Sequence, residues 1–290
     1  MRKKTQPSEP ETARPGGILE SVLEGQAAEE PPRAGHMKAS FSKHASGVFF
    51  VVGSLDLCAF LLGVTVLGRT LGYERWFEIG AQIFAGLLTL LLIKYMDSSY
   101  QIGLGFKGFK YGAAALLPLA LATVAWMRPF NGEIGLELPV IAALGALTEA
   151  VWEEACFRGF GAFLFAKEDG RLGWFALIAS SFWFGALKLI RLVAEPGEWK
   201  EIVLCAVFSV ALGAFLMALY LQTKNLTVPI MVHFLFNLAE MEPRNCSAEP
   251  RLLGQEGSAL LLVTAGVVLV VLAVWLFRRK GKPTTAGAEA

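Results

Sequence analysis

The chain is poor in charge, in histidine and in patterned cysteine. Charged residues make up 18% of its 290 positions while 54% are hydrophobic, and the mean hydropathy is +0.52. So little polar surface cannot cover a soluble globule of this size, which excludes an ordinary water-soluble domain and points to a polytopic membrane protein. Lys and Arg, 26 together, nearly cancel 25 Asp and Glu, for a net charge of +1. With no global field and no basic patch interleaved with aromatics, nucleic acid is excluded as a partner. The four cysteines, Cys58, Cys156, Cys205 and Cys246, show no C-x-x-C spacing, and the first three sit in apolar runs. They read as small packing residues and not as a disulfide framework or a metal cluster. Two of three histidines, His36 and His44, fall in the polar N-terminal stretch, leaving His233 inside the apolar part.

What the chain does have is apolar length. At roughly 17 to 25 residues per span, the runs predict an all-α bundle of eight transmembrane helices: Gly47–Gly68, Trp76–Ile93, Phe109–Met127, Leu138–Phe165, Leu172–Ile190, Ile202–Leu221, Val228–Leu238 and Ala259–Phe277. The seventh is short and the fourth is longer than a bilayer needs, so it protrudes or tilts. Residues 1–46, rich in Pro, Glu, Gly, Ala and Lys with no apolar period, read as a disordered cytoplasmic tail. The first apolar run begins too late and runs too long for a cleaved signal peptide, so it stays as a helix. The organisation expected is a tail over 1–46, N-terminal transmembrane helices over 47–108, a catalytic-type domain over 109–240, a last helix over 259–277 and a basic tail over 278–290.

Orientation follows from Lys and Arg in short loops, which favour the cytoplasmic side. Lys94, Lys107 and Lys110, then Lys167 and Arg171, then Arg278, Arg279, Lys280 and Lys282 all fall on one side of an eight-span chain, together with Arg2, Lys3 and Lys4 of the tail. The opposite loops are acidic or mixed, with Glu195, Glu198, Glu240 and Glu249 among them. This predicts N-in and C-in. No internal repeat of the inverted-repeat transporter kind is visible.

Against this apolar background, Glu153, Glu154 and Arg158 are anomalous. An ionisable group at bilayer depth costs at least about 2.5 to 3.5 kcal/mol on insertion scales, which makes such a cluster a functional-site hypothesis. On a helix Glu154 and Arg158 are i and i+4 and can pair, and Glu149 and Glu153 share the same spacing. One carboxylate anchored by Arg and another free to move protons is what water activation requires; the alternative is an ion cluster that joins helices. In the next helix, Gly185 and Ala186 permit close backbone approach. Glu154 lies 13 residues before Lys167 and Phe184 lies 13 after Arg171, so a helical hairpin turning there sets Glu154 level with Phe184 and puts Lys188 about one turn deeper. Lys188 then either swings back to the glutamates or snorkels to the outer interface. In the short seventh helix, His233 and Asn237 present an imidazole and an amide on one face.

These residues resemble the CPBP family of intramembrane endopeptidases, also called the Abi or type II CAAX prenyl endopeptidase family. Glu153-Glu154-Ala155-Cys156-Phe157-Arg158 is similar to its first motif, and His233 with Asn237, after Leu226-Thr227-Val228-Pro229-Ile230, to its third. Gly213 to Thr223 with Tyr220 resembles the helix between. The second motif departs, because Lys188 stands where the family has the histidine of Phe-x-x-x-His. The resemblance implies a protease (hydrolase) in a membrane, in which Glu153 is the general base, Glu154 and Arg158 support it, and His233 with Asn237 stabilise the oxyanion. It also implies a divalent metal such as zinc, for which Glu153, Glu154 and His233 are the candidate ligands. A zinc catalytic site usually takes three protein ligands plus water, and a protonated Lys188 is a poor neighbour for a cation.

Two readings of Lys188 follow. It replaces the missing group as a fixed cation, or as a base if desolvated to neutrality; or it neutralises the site and leaves a non-catalytic binding, regulatory or immunity protein. A third, a transporter or channel, is motivated by Asp56, Glu78 and Gln82 in the first two helices. The partners expected are the lipid bilayer and a membrane-associated peptide or protein substrate. The resemblance implies prenylated CAAX-type chains in eukaryotic relatives, and peptide maturation or bacteriocin self-immunity in bacterial ones. The location expected is a bacterial inner membrane.

Overall fold

The computed structural model describes residues 74–96, 101–127, 137–165, 170–189, 199–240 and 251–279. The expected tail, the helix Gly47–Gly68 with Asp56, and the C-terminal basic tail beyond Arg279 lie outside the described residues. Seven of the expected helices coincide with helices among the described residues, each shifted by a few positions at its ends, and no strand occurs there. They are α1, Glu74–Met96; α2, Phe109–Trp126; α3, Glu137–Glu154, which continues through a π-helical stretch Ala155–Phe160 into α4, Gly161–Phe165; α5, Gly170–Lys188; α6, Trp199–Thr223; α7, Thr227–Glu240; and α8, Gly254–Arg279.

Two irregularities correct the simple picture of unbroken rods. α2 contains one 3₁₀ turn, Ala113–Ala115, just before the stretch that carries Pro118; proline has no N–H to give back to the preceding turn, and the helix tightens there. The long fourth helix expected over Leu138–Phe165 widens to π geometry over Ala155–Phe160. Such stretches are rare and cluster at functional sites.

Among the described residues four helices, Trp76–Met96, Phe109–Trp126, Trp199–Thr223 and Gly254–Arg279, are long and apolar enough to cross a membrane. α6 is the central one, with 72% of its span buried against 33% for α1 and for α8. The outer helices turn large apolar residues outward, among them Phe84, Leu87 and Leu91 of α1 and Val267 and Val271 of α8. Faces of that size and apolarity belong against lipid. Two threonine hydroxyls in the spans are satisfied on their own helix: Thr89 donates to the Ala85 carbonyl at 2.9 Å and Thr264 to that of Leu260 at 2.8 Å. The protein is a polytopic helical membrane protein.

Packing places the polar helices. α1 and α3 run in parallel: Gln82 accepts the Thr148 hydroxyl, and Gly86 lies against the Trp152 backbone. α5 runs antiparallel to α6 at a close crossing, where a Cβ added to Gly185 would lie 2.3 Å from Val210 Cγ2 and 2.7 Å from the Ala206 carbonyl oxygen. Of the two small residues expected to admit a neighbouring backbone, Gly185 does so here.

The turn between α6 and α7 is strapped to the segment that precedes α2. The Asn225 side-chain amide donates to the carbonyls of Gly105 (2.8 Å) and Lys107 (2.7 Å), the Leu226 N–H to that of Gly103 (2.8 Å), and the Tyr220 hydroxyl to that of Ile102 (3.1 Å). Gly103 is held at φ +71°, and a Cβ there would lie 1.8 Å from the Lys224 carbonyl oxygen, so glycine is required. Asn225 Oδ1 also accepts the Thr227 N–H at 3.1 Å, capping the first turn of α7.

Gly185→Ala should lower stability by about 1–3 kcal/mol through overpacking, seen as a lower thermal midpoint in detergent. Gly80→Ala, where an added Cβ meets nothing within 4 Å, should be neutral or stabilise by roughly 0.5–1 kcal/mol.

Candidate active site

Glu153 and Glu154 end the regular part of α3, and Arg158 lies in the π-helical stretch that follows. The Arg158 and Glu154 side chains are fully buried and pair at 2.8 Å between Nη1 and Oε1. The guanidinium stacks over the Phe184 ring at 4.5 Å and sends Nη2 toward the Gly213 carbonyl of α6 at 3.4 Å. One buried cation thus touches α3, α5 and α6. His233 of α7 completes the group: its Nδ1 lies 2.8 Å from the same Glu154 oxygen, and its ring meets Phe184 edge-on at 5.3 Å. Glu154 therefore receives both the guanidinium and the imidazole, and that hydrogen bond leaves Nε2 as the free face of the ring.

Glu153 is placed differently. Its Oε1 lies 3.4 Å from Lys188 Nζ, and its Oε2 lies 3.4 Å from His233 Nε2, buried and without a hydrogen-bond partner. Glu154 Oε2 also lacks a partner, but that side chain is wholly enclosed. Lys188, the last residue of α5, turns back to the glutamates and reaches Glu149 Oε1 at 3.1 Å as well. Of the two placements open to it in the sequence, the structure has the inward one.

Asn237 does not join this group. One turn beyond His233, its amide donates to the Ala146 carbonyl of α3 at 3.2 Å and so ties α7 to α3. Gln82 is likewise engaged by Thr148, beside the cluster. Cys156 and Cys205 carry no disulfide, and Cys156 is buried in the core. Two contributors escaped the sequence reading. The Gly213 carbonyl could not be read, because a backbone acceptor leaves no trace beyond a glycine in an apolar run; Glu149 was visible by its spacing but not as a partner of Lys188.

The donor set does not fit zinc. Glu153, Glu154 and His233 do not converge on one point: Glu154 Oε1 and His233 Nδ1 are spent on each other and on Arg158. Only Glu153 Oε2 and His233 Nε2 face one another, with the Lys188 ammonium on the same carboxylate. Among the described residues no group of three or more His, Cys, Asp or Glu could hold a metal ion, and a catalytic zinc usually needs three such ligands.

Removing one member of a buried ion pair leaves the other charge uncompensated, at a cost of about 3–5 kcal/mol. Glu154→Ala and Arg158→Ala should each destabilise the protein by that order, measured by thermal unfolding in detergent. Glu153→Ala should cost clearly less, since Lys188 keeps Glu149.

No curated protein and no solved structure matches the chain. Residues 135–239, which run from the start of α3 through α7 and hold Glu153, Glu154, Arg158, Lys188, His233 and Asn237, match the family model Type II CAAX prenyl endopeptidase Rce1-like, the family that the motifs resemble.

Proposed function

We propose that this protein is a membrane-embedded endopeptidase that hydrolyses a peptide bond with a water activated by Glu153. The family match supports a protease, and the apolar helices support one working within the bilayer. The observation that carries the mechanism is the division of labour between adjacent carboxylates. Glu154 is locked by Arg158 and His233, whereas Glu153 has one oxygen beside Lys188 and the other unpartnered against His233 Nε2.

In this reading Glu153 Oε2 takes a proton from the water as its oxygen attacks the scissile carbonyl carbon. His233, held through Nδ1 by Glu154, donates from a protonated Nε2 to the oxyanion that forms. The C–N bond then breaks, Glu153 passes its proton to the leaving amine, and a carboxylic acid and an amine result. Lys188 supplies the positive charge beside Glu153 and needs no metal to do so. Asn237 acts as a positioning residue that fixes α7, and with it His233, on α3.

A second reading is favoured by one distance. Lys188 Nζ at 3.4 Å from Glu153 also suits a neutralised, non-catalytic site that only binds. A proteolysis assay in detergent separates the two. The catalytic reading expects cleavage by the wild type, unchanged by a chelator, and a fall of roughly 10²–10⁴-fold in Glu153→Ala. An inactive wild type with a cleaving Lys188→His variant would establish the binding reading instead.

A further inference from the structure

Exposure changes in one direction along the polar cluster. The Glu154 and Arg158 side chains are fully covered, those of Glu153 and His233 are 4% and 2% exposed, and those of Lys188 and Glu149 reach 23% and 33%. A carboxylate and an ammonium at the edge of an apolar bundle face water and not hydrocarbon. The Lys188 and Glu149 side is therefore the mouth of the site. α5 runs 19 residues from Gly170 to Lys188, about 27 Å at 1.5 Å per residue, close to the roughly 30 Å of a hydrocarbon core. Lys188 thus lies at the interface away from Gly170. Glu240, at the end of α7, is another of the charges that act on it.

The far end of the bundle carries the basic loops. The strap joins the segment holding Lys107 to the turn holding Lys224, and Gly159 brings the end of α1, next to Lys94, against Leu226 of that turn. The start of α5 meets the end of α8, next to Arg278 and Arg279, where Trp174 and Phe277 lie 4.3 Å apart. Lys and Arg concentrated on one side mark the cytoplasm.

We propose that the site opens to the extracytoplasmic face, and that its substrate is a peptide bond near the outer membrane–water boundary, in a chain segment presented from outside the cell or from the outer leaflet. The substrate half rests on the endopeptidase reading; the side on which the mouth opens does not. A cytoplasmic chain terminus would meet the basic loops and would have to pass the buried Phe157, Arg158 and Glu154 to reach Glu153.

The test uses the full chain in intact cells, a membrane-impermeant maleimide and two single variants. Leu189→Cys stands at the mouth, beside Lys188, and Phe106→Cys stands in the segment at the basic end, 38% and 87% exposed respectively; the wild type serves as the blank for its four cysteines. The expected result is that Leu189→Cys labels in intact cells and Phe106→Cys only after permeabilisation. Labelling of Leu189→Cys only after permeabilisation, or not above the wild type at all, overturns the proposal. A reporter peptide tethered to a single membrane helix, placed on either side, tests the substrate: cleavage confined to the outer placement supports it, and cleavage of the cytoplasmic one overturns it. Cleavage of neither, beside outside labelling, overturns the endopeptidase reading and the substrate with it, and leaves the outward mouth standing.

Discussion

The buried pair of Arg158 and Glu154 is the constraint around which the bundle is arranged. A guanidinium that never meets water has to be compensated within the protein, and here the compensation comes from three helices at once: a carboxylate on its own helix, an aromatic face from α5 and a carbonyl from α6. Gly213 is the position that lets this happen. A Cβ there would lie 3.0 Å from the Ser181 Cα and 3.4 Å from Arg158 Nη2, so a larger residue would push α6 away from the cation it helps to satisfy. Helices in lipid gain little from apolar contact with one another, since the tails are equally apolar. A polar focus of this kind gives them a reason to meet in one register.

In the proposed mechanism the same focus sets up the chemistry without performing it. By engaging Glu154 Oε1 with the guanidinium and the imidazole, the pair orients the His233 ring, while the neighbouring Glu153 keeps an unpartnered oxygen against Nε2 and its other oxygen beside Lys188. Adjacent residues on a helix point about 100° apart, so two glutamates in sequence serve two directions, one toward Arg158 and one toward Lys188. Lys188 then meets the second of these. Its long stem lets a residue at the end of α5 act about a turn away from its own backbone, which a histidine in the same position could not do in the same way.

Much of this was legible in the sequence. The charges stood out because so few others interrupt the apolar runs, and counting back from Lys167 and on from Arg171 set Phe184 level with Glu154, where the neighbouring Arg158 guanidinium meets its ring. Gly185 was legible for the same reason, as a small residue where a helix had to pass. Three things were not. The π-helical stretch changes the register after Glu154 by a backbone choice that no side-chain period records. Asn237 shares a face with His233, but which neighbour its amide finds depends on how α7 crosses α3, and it finds the Ala146 carbonyl. The strap at Asn225 pairs residues some 120 positions apart through backbone carbonyls, and backbone acceptors are alike in every sequence.

That strap bears on where the structural unit around the polar site begins. The segment matched by the family spans 135–239, yet the carbonyls that hold Asn225 and Leu226, and so the capped start of the His233 helix, belong to residues 103, 105 and 107. On the other flank, Gln82 and Gly86 of α1 brace the helix that carries the glutamates. The recognisable motif segment is thus not self-supporting: its inner geometry is borrowed from α1 and from the segment before α2. Divergence there would retune the placement of the imidazole while leaving every motif residue unchanged.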